Sequence, residues 1–196
     1  MRAPMLALLL AVSLCAYAKT KLLEQVPLQW KPTSELQLGT MAMPQTPIHF
    51  ETFQDVRDEK TAIGANLEDD QPRSVTTHED VGAFVSTHMR ALFDHAGLKT
   101  VDGDGAVTIR GEVKAFYVTE TSTYKSEIAV HLAVIDHNGK TLWNGVASGE
   151  ATRFGRSYKL ENYSETLSDG IVNTVSSMLQ STQFLEALSG HGAPVP

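Results

Sequence analysis

Alternation of large apolar residues with polar or small ones constrains the fold of this chain more than any other feature. The alternation runs through residues 107–114 and again through residues 127–134. A period of two is the side-chain period of a β-strand that buries one face and exposes the other. Asn138-Gly139 then predicts a tight hairpin, because both positions of such a turn favour positive φ. Residues 142–151 return as a further strand, so the sequence predicts a three-stranded meander.

Two amphipathic helices flank this meander. In the first, apolar residues recur three and four places apart from Val81 to Phe93, after a capping box at Thr76 or Thr77. Gly97 suits the position just after such a helix, where the backbone often adopts the left-handed conformation. The second helix is predicted to begin at a cap formed by Asn162 with Glu165. We expect one core that includes Phe84, Leu92, Ile109, Leu132 and Leu167.

The remaining segments complete a predicted α+β fold. Residues 48–56 read as a strand, and residues 57–76 read as a long acidic loop broken by glycine and proline. The order is then strand, helix, three strands, helix, which packs economically as a mixed β-sheet with both helices on one face. The predicted divisions are a signal peptide (1–18), an extended N-terminal arm (19–47), a single α+β domain (48–189) and a flexible tail (190–196).

The first eighteen residues are typical of a secretory signal peptide. One arginine precedes an apolar run, and Ala16-Tyr17-Ala18 supplies the small-residue pattern of a cleavage site. Cleavage after Ala18 would leave a mature chain without cysteine, because Cys15 is the only one. Alternatively, Cys15 is itself lipidated and becomes the first residue, although Leu14 stands where a lipobox normally has a small residue. Both alternatives place the protein in the periplasm or at the outer membrane.

The net charge and the length of the apolar segments indicate whether the chain binds nucleic acid or a membrane. The formal net charge is −7, which favours solubility and disfavours general attraction to nucleic acid. No second apolar stretch reaches the length needed to cross a bilayer, about 18–20 residues. We therefore expect no nucleic-acid partner, and membrane association only if Cys15 is lipidated.

Four short segments give the chain a resemblance to the YajG-like family of Gram-negative envelope lipoproteins. They are Val26-Pro27-Leu28, the run from Phe53-Gln54-Asp55-Val56-Arg57-Asp58 to Ile63-Gly64, the Asp80–Gly97 helix, and Gly149-Glu150-Ala151-Thr152-Arg153. The resemblance implies an outer-membrane or periplasmic setting and an α/β domain like those of envelope accessory proteins. It implies no reaction and no ligand.

Signatures of metal binding and catalysis are incomplete. His88 and His95 are seven residues apart, whereas metal pairs on a helix usually lie three or four apart. Asp102-Gly103-Asp104-Gly105 lacks the later ligands of a calcium loop, and Ser148 lies one place too late for a nucleophile elbow. We therefore predict no cofactor, no metal site and no catalytic residues.

The most suggestive cluster for binding is Arg153-Phe154-Gly155-Arg156 followed by Tyr158. Guanidinium groups beside an aromatic ring suit a phosphate, a carboxylated glycan or an acidic partner. Arg57, at the end of the first strand, is a further candidate for this site. The alternative is that Arg153 and Arg156 only pair with nearby acids.

These observations favour an exported, non-catalytic cell-envelope protein that acts as a binding or accessory module. Its expected partner is another envelope protein or a cell-wall component. Two other functions stay open: a hydrolase acting on cell-wall or lipid substrates, and a subunit of an envelope structural or transport assembly.

Overall fold

The structure, a computed structural model, describes residues 22–68 and 70–191. It contains three helices on a mixed sheet of eight strands, which confirms the predicted α+β class. The predicted signal peptide with Cys15, and residues 192–196 of the predicted tail, lie outside the described residues. The elements are β1 (Ile48–Phe50), β2 (Gln54–Asp55), β3 (Ala62–Asn66), β4 (Arg73–Thr76), α1 (Val81–His95), β5 (Thr100–Val101), β6 (Val107–Glu120), β7 (Thr123–Asp136), β8 (Thr141–Phe154), α2 (Leu160–Leu179) and α3 (Thr182–Leu188).

Three long antiparallel strands, β6, β7 and β8, pair in chain order and form the larger part of the sheet. The other edge of β6 pairs in succession with β1, β2 and β3, all parallel to it. β5 then pairs with β1, and β4 pairs with β3. Strand β8 lies at the outer edge, since among the described residues it pairs only with β7.

Two of these strands occupy the segment predicted as a loop, so that expectation for residues 57–76 is wrong. β3 is buried almost throughout and therefore shows no alternation of apolar and polar residues. β4 is only four residues long and mostly polar. Neither strand carries the sequence pattern by which a half-buried strand is identified.

The β7–β8 connection also differs from the predicted two-residue turn. Gly139 has a φ of 81°, but Asn138 does not adopt positive φ. The main-chain N–H of Asp136 donates to the carbonyl oxygen of Lys140, and the Asp136 carboxylate accepts from the N–H groups of Asn138 and Lys140. The aspartate side chain thus organises a slightly longer turn in which only glycine needs the left-handed region.

The helices cover one face of the sheet and bury a single apolar core. Along β7, Ile128, Val130, Leu132 and Val134 are all fully buried, and the intervening residues face the opposite side. Ile109, Leu132 and Leu167 are buried as predicted. Phe84 and Leu92 are only partly buried, because the centre of the α1 interface is formed by a neighbouring set of residues: Val81, Val85, Met89 and Phe93.

Of the three predictions for helix ends, the one for the glycine after α1 is correct and the two for the N-terminal caps are wrong. Neither Thr76 nor Thr77 caps α1, because the helix begins one turn later in the sequence. α1 is capped by Asp80, whose carboxylate accepts from the N–H of Ala83 at 2.9 Å, and Gly97 follows the helix with a φ of 87°. α2 begins at Leu160, so Asn162 is not its cap. The Asn162 amide instead donates to the hydroxyl oxygen of Ser157 at 2.9 Å.

Residues 22–47 run as an extended arm against the helices. Main-chain N–H groups at Lys31, Thr33 and Gln37 donate to side chains along α2. The Trp30 ring stacks on the His88 imidazole with a centroid distance of 4.2 Å and an interplanar angle of 5°. His88 therefore lies in an aromatic contact between the arm and α1, and burial lowers its pKa.

Candidate functional site at the end of strand β8

The turn that joins β8 to α2 has an unusual backbone. It runs from Phe154, the last residue of β8, to Tyr158, shortly before α2 begins. We call residues 154–158 the display turn. Gly155 has a φ of 154° and Tyr158 has a φ of 43°. An aromatic residue in the left-handed region is uncommon and persists only where its surroundings hold it there.

Tyr158 is held by three contacts with the first part of the chain. Its hydroxyl group donates to the carbonyl oxygen of Ser74 at 2.7 Å and accepts from the N–H of Leu23 at 3.1 Å. The guanidinium of Arg73 lies over its ring, 4.5 Å from the centroid. Tyr158 is consequently buried and fixes the turn against β4 and the N-terminal arm.

The buried carboxylate of Glu120, at the end of β6, anchors the same turn. Its Oε1 accepts from the main-chain N–H groups of Ser157 and Tyr158, both at 2.9 Å. Its Oε2 accepts from the hydroxyl group of Tyr163, on α2, at 2.7 Å. Glu120 thus connects the sheet, the display turn and the second helix.

Hydrogen bonding keeps Glu120 ionised in this setting. Burial by itself would raise the pKa of Glu120, but the hydrogen bonds that it accepts, among them those from the Tyr158 main chain and the Tyr163 hydroxyl group, outweigh burial, and the net pKa is lowered. The pKa of the Tyr163 hydroxyl is raised, first by burial and then by its bond to the Glu120 carboxylate. The cluster therefore holds one buried negative charge stabilised by neutral donors.

The anchored turn displays two side chains to solvent. Phe154 is 92% exposed, which is uncommon for a phenylalanine, a residue type that is usually buried. The Arg156 side chain is 65% exposed, and its Nε lies 3.1 Å from Glu68 Oε1. A single exposed ion pair of this kind contributes little stability, so most of the Arg156 guanidinium remains available to a partner.

Arg153 points away from this surface, toward the arm. Its guanidinium pairs with Glu165 at 2.6 Å and lies 3.7 Å from Asp169. It also donates to the hydroxyl group of Thr33 at 2.8 Å. The Asp169 carboxylate accepts from the N–H and the hydroxyl group of Thr33 in turn. The contacts of Arg153 therefore link β8, α2 and the arm.

Arg57 does not reach the display turn either. Its side chain is only 7% exposed and pairs with Asp55 at 2.8 Å. Its remaining donors reach the carbonyl oxygens of Lys60, Ala62 and Phe116. Of the five side chains predicted for a binding site, the structure thus brings together Phe154, Arg156 and Tyr158, with the first two exposed.

A separate cavity of about 870 Å³ lies between β2 and the start of α1. The residues that line it include Asp55, Lys60, His78, Glu79 and Asp80. Burial would raise the pKa of Asp55, but the bonds and charge of Arg57 lower it overall. The Glu79 carboxylate is engaged by the N–H of Leu28 at 3.0 Å. Phe53 also lines this cavity, but within the described residues no side chain of the display turn and no arginine does so.

The buried anchors Glu120 and Tyr163 are not among the residues predicted from the sequence. One signal for Glu120 is present: Phe116 and Val118 precede it at two-residue spacing on the buried side of β6. A carboxylate at the next inward position must find donors or remain unpaired in the core. Tyr163 lies in a helix without any comparable sequence signal.

Two further properties of the described residues concern metal binding and membrane insertion. Histidine, cysteine and carboxylate side chains form no group of three suited to a metal ion within residues 22–68 and 70–191. None of the helices in the described part of the chain combines the length and apolar character needed to span a bilayer.

Comparison of the sequence with family models and with curated proteins finds no match. The fold is nevertheless shared with solved structures. A Xanthomonas campestris protein of the family DUF330 has a TM-score of 0.54 and 9% sequence identity, covering 76% of this chain and 90% of that one. A second structure, described as an uncharacterized protein, has a TM-score of 0.50 and 10% identity, covering 74% and 97% of the two chains. At these identities the likeness shows the fold alone.

Proposed function

We propose that this chain is an exported, non-catalytic protein of the cell envelope that binds another envelope protein or a cell-wall component through the display turn. The observation that carries the proposal is the exposed pair Phe154 and Arg156 on a turn with two positive φ angles. Strained backbone tends to persist where function requires a fixed presentation of side chains.

The chemistry of this pair suits recognition of a partner rather than catalysis. Aromatic and arginine side chains are the types most enriched among residues that dominate binding energy at interfaces. The Glu120 carboxylate beneath the turn is fully buried, and its oxygens already accept hydrogen bonds from main-chain and tyrosine donors. It therefore acts as a structural support beneath the binding surface.

The envelope setting is supported by the N-terminal sequence. The apolar run and Ala16-Tyr17-Ala18 favour export and cleavage after Ala18, with lipidation at Cys15 as the alternative. The YajG-like resemblance of four segments agrees with a periplasmic or outer-membrane location. Sequencing of the mature N-terminus should therefore begin at Lys19, whereas palmitate labelling that depends on Cys15 would show the other form of processing.

Recovery of crosslinked partners from whole envelopes tests the binding proposal. The double variant Phe154→Ser/Arg156→Glu should lose at least tenfold in the yield of partners obtained with the wild-type chain, because both exposed contacts are removed. Its thermal midpoint should change by less than about 2 °C, since exposed substitutions are usually near neutral.

Lys140→Glu provides a matched control, because it reverses an exposed charge at the opposite end of β8. It should leave partner recovery unchanged. If the double variant recovers the same partners in the same yield, the display turn is not the binding surface.

A further inference from the structure

The outer edge of β8 provides a second surface that the display turn does not explain. Within the described residues, β8 pairs on one side only. Its middle part, from Asn144 to Ser148, contains neither lysine nor proline, the residues by which natural edge strands usually discourage pairing. Val146, in the middle of this stretch, is 62% exposed.

The direction of the main-chain groups follows from one hydrogen bond. The amide of Asn173, on α2, donates to the carbonyl oxygen of Glu150 at 2.8 Å. This bond comes from outside the β7–β8 ladder, so the Glu150 main chain faces the free edge. Because alternate residues of a strand direct their N–H and C=O groups to the same side, Val146 and Ser148 face that edge too. The Asn173 side chain therefore occupies the outer edge at Glu150. Within the described residues, no strand pairs with the stretch that precedes Glu150 on this edge.

A small apolar pocket lies directly beside this open stretch. Its volume is about 210 Å³, and it lies between β8 and the junction of α2 with α3. Trp143 and Phe184, whose rings meet at a centroid distance of 5.1 Å, form part of its lining with Ala147 and Met178. The polar groups that line it are serine hydroxyls, and no charged side chain contributes.

The size and chemistry of the pocket indicate what fits it. Small-molecule sites usually occupy roughly 300–1,000 Å³, so this pocket suits one apolar side chain rather than a whole ligand. An unpaired strand edge supplies main-chain hydrogen bonds, and an adjacent pocket supplies side-chain selectivity, which is how extended peptides are recognised by strand addition.

We infer that the Asn144–Ser148 edge of β8 binds an extended, uncharged peptide segment of another protein, with one apolar side chain in the Trp143–Phe184 pocket. A second copy of this chain fits less well. Within its own Asn144–Ser148 stretch, a second copy would offer only Gly145 and Ala147 on the helix side of the sheet, and both are too small to fill the pocket. This inference does not depend on the display turn, whose residues lie at the far end of the strand.

Selection from a phage-displayed library of random nonapeptides against the immobilised mature chain tests this inference. The selected peptides should lack charge near the centre and carry apolar residues at alternate positions. Val146→Pro removes an outward N–H without removing a bond to β7, so it should weaken their binding at least tenfold. Val146→Thr keeps the N–H and the strand preference, and should bind them as the wild-type chain does.

A second variant changes the pocket but not the strand, so that a folding defect of Val146→Pro is not mistaken for loss of the binding surface. Ser177 is exposed at the rim of the pocket, so Ser177→Lys places a charge there without touching the strand. It should also weaken binding at least tenfold, and hydrogen exchange at Val146 and Ser148 should slow when a selected peptide is added to the wild-type chain.

Three results would overturn the inference: no peptide is enriched, the peptides bind Val146→Pro and Ser177→Lys like the wild-type chain, or the edge is occupied by a second copy. The last would appear as a dimer of the wild-type chain that Val146→Pro converts to a monomer. The Phe154→Ser/Arg156→Glu variant should bind the peptides normally, so failure of the proposed function and failure of this inference are distinguishable.

Discussion

Replacement of Glu120 tests whether a buried carboxylate anchors the display turn. In Glu120→Ala, the N–H of Tyr158 and the hydroxyl group of Tyr163 lose the acceptors that they now have at 2.9 and 2.7 Å. The N–H of Ser157 keeps a second acceptor, the hydroxyl oxygen of Tyr124 at 3.2 Å. Two buried donors are therefore left unpaired.

The expected size of the effect follows from those two donors. A buried donor without a partner costs about 1–3 kcal/mol, so Glu120→Ala should lower the free energy of unfolding by about 2–6 kcal/mol. Glu120→Gln retains an acceptor oxygen but loses the charge, and should cost about 1–3 kcal/mol. Equilibrium urea denaturation followed by far-ultraviolet circular dichroism measures both values.

The pH dependence gives an independent check. The pKa of Glu120 is lowered in the folded chain, so its stabilising contribution is complete above the unfolded pKa of about 4.3. That contribution is lost as the pH falls through the lower, folded value, and Glu120→Gln should lack this loss. Glu127→Gln, at an exposed position of β7, is the matched control and should change stability by less than about 0.5 kcal/mol. A Glu120→Ala variant within 1 kcal/mol of the wild-type chain would refute the anchoring role.

Two further predictions concern α1. Met89 is fully buried, so Met89→Ala should lower the free energy of unfolding by about 2–5 kcal/mol in urea denaturation. Leu92 is only partly buried, so Leu92→Ala should lower it clearly less. Equal losses in the two variants would contradict the packing described for this helix. Burial lowers the pKa of His88, so the unfolded chain takes up a proton first and stability should decline as the pH falls below about 6.5. His88→Phe keeps a ring against Trp30 but cannot titrate, so its thermal midpoint should change less between pH 7 and pH 5 than that of the wild-type chain.

The regular part of the fold is predictable because its pattern is local. Residues 107–113 and 128–134 alternate as half-buried strands must, and the α1 stripe repeats at helical spacing. Gly97 was identifiable as the residue after α1 because a left-handed position favours glycine. The short strands β3 and β4 were not predictable in this way, since their pairing with β6 and with each other depends on contacts distant in sequence.

The sequence predicts which residues cluster at the candidate site, but not the direction in which their side chains point. The run from Arg153 to Tyr158 was selected because arginine, aromatic and glycine residues cluster there. The partners of each arginine depend on tertiary contacts: Arg153 meets the arm through Thr33, and Arg57 fills its donors with Asp55 and carbonyl oxygens. Neither set of contacts has a sequence signature, so the sequence could not separate the exposed guanidinium from the structural ones.

Site-specific photocrosslinking at Phe154 tests whether the display turn contacts a partner in the cell envelope. A benzoylphenylalanine at this position extends from a side chain that is already 92% exposed, so the fold should be unaffected. The same residue at Asn138, in the exposed β7–β8 turn at the other end of the strand, is the control. In living cells we expect a discrete envelope adduct from position 154 that Arg156→Glu reduces, and none from position 138. Equal adducts from both positions, or none from position 154, would contradict it.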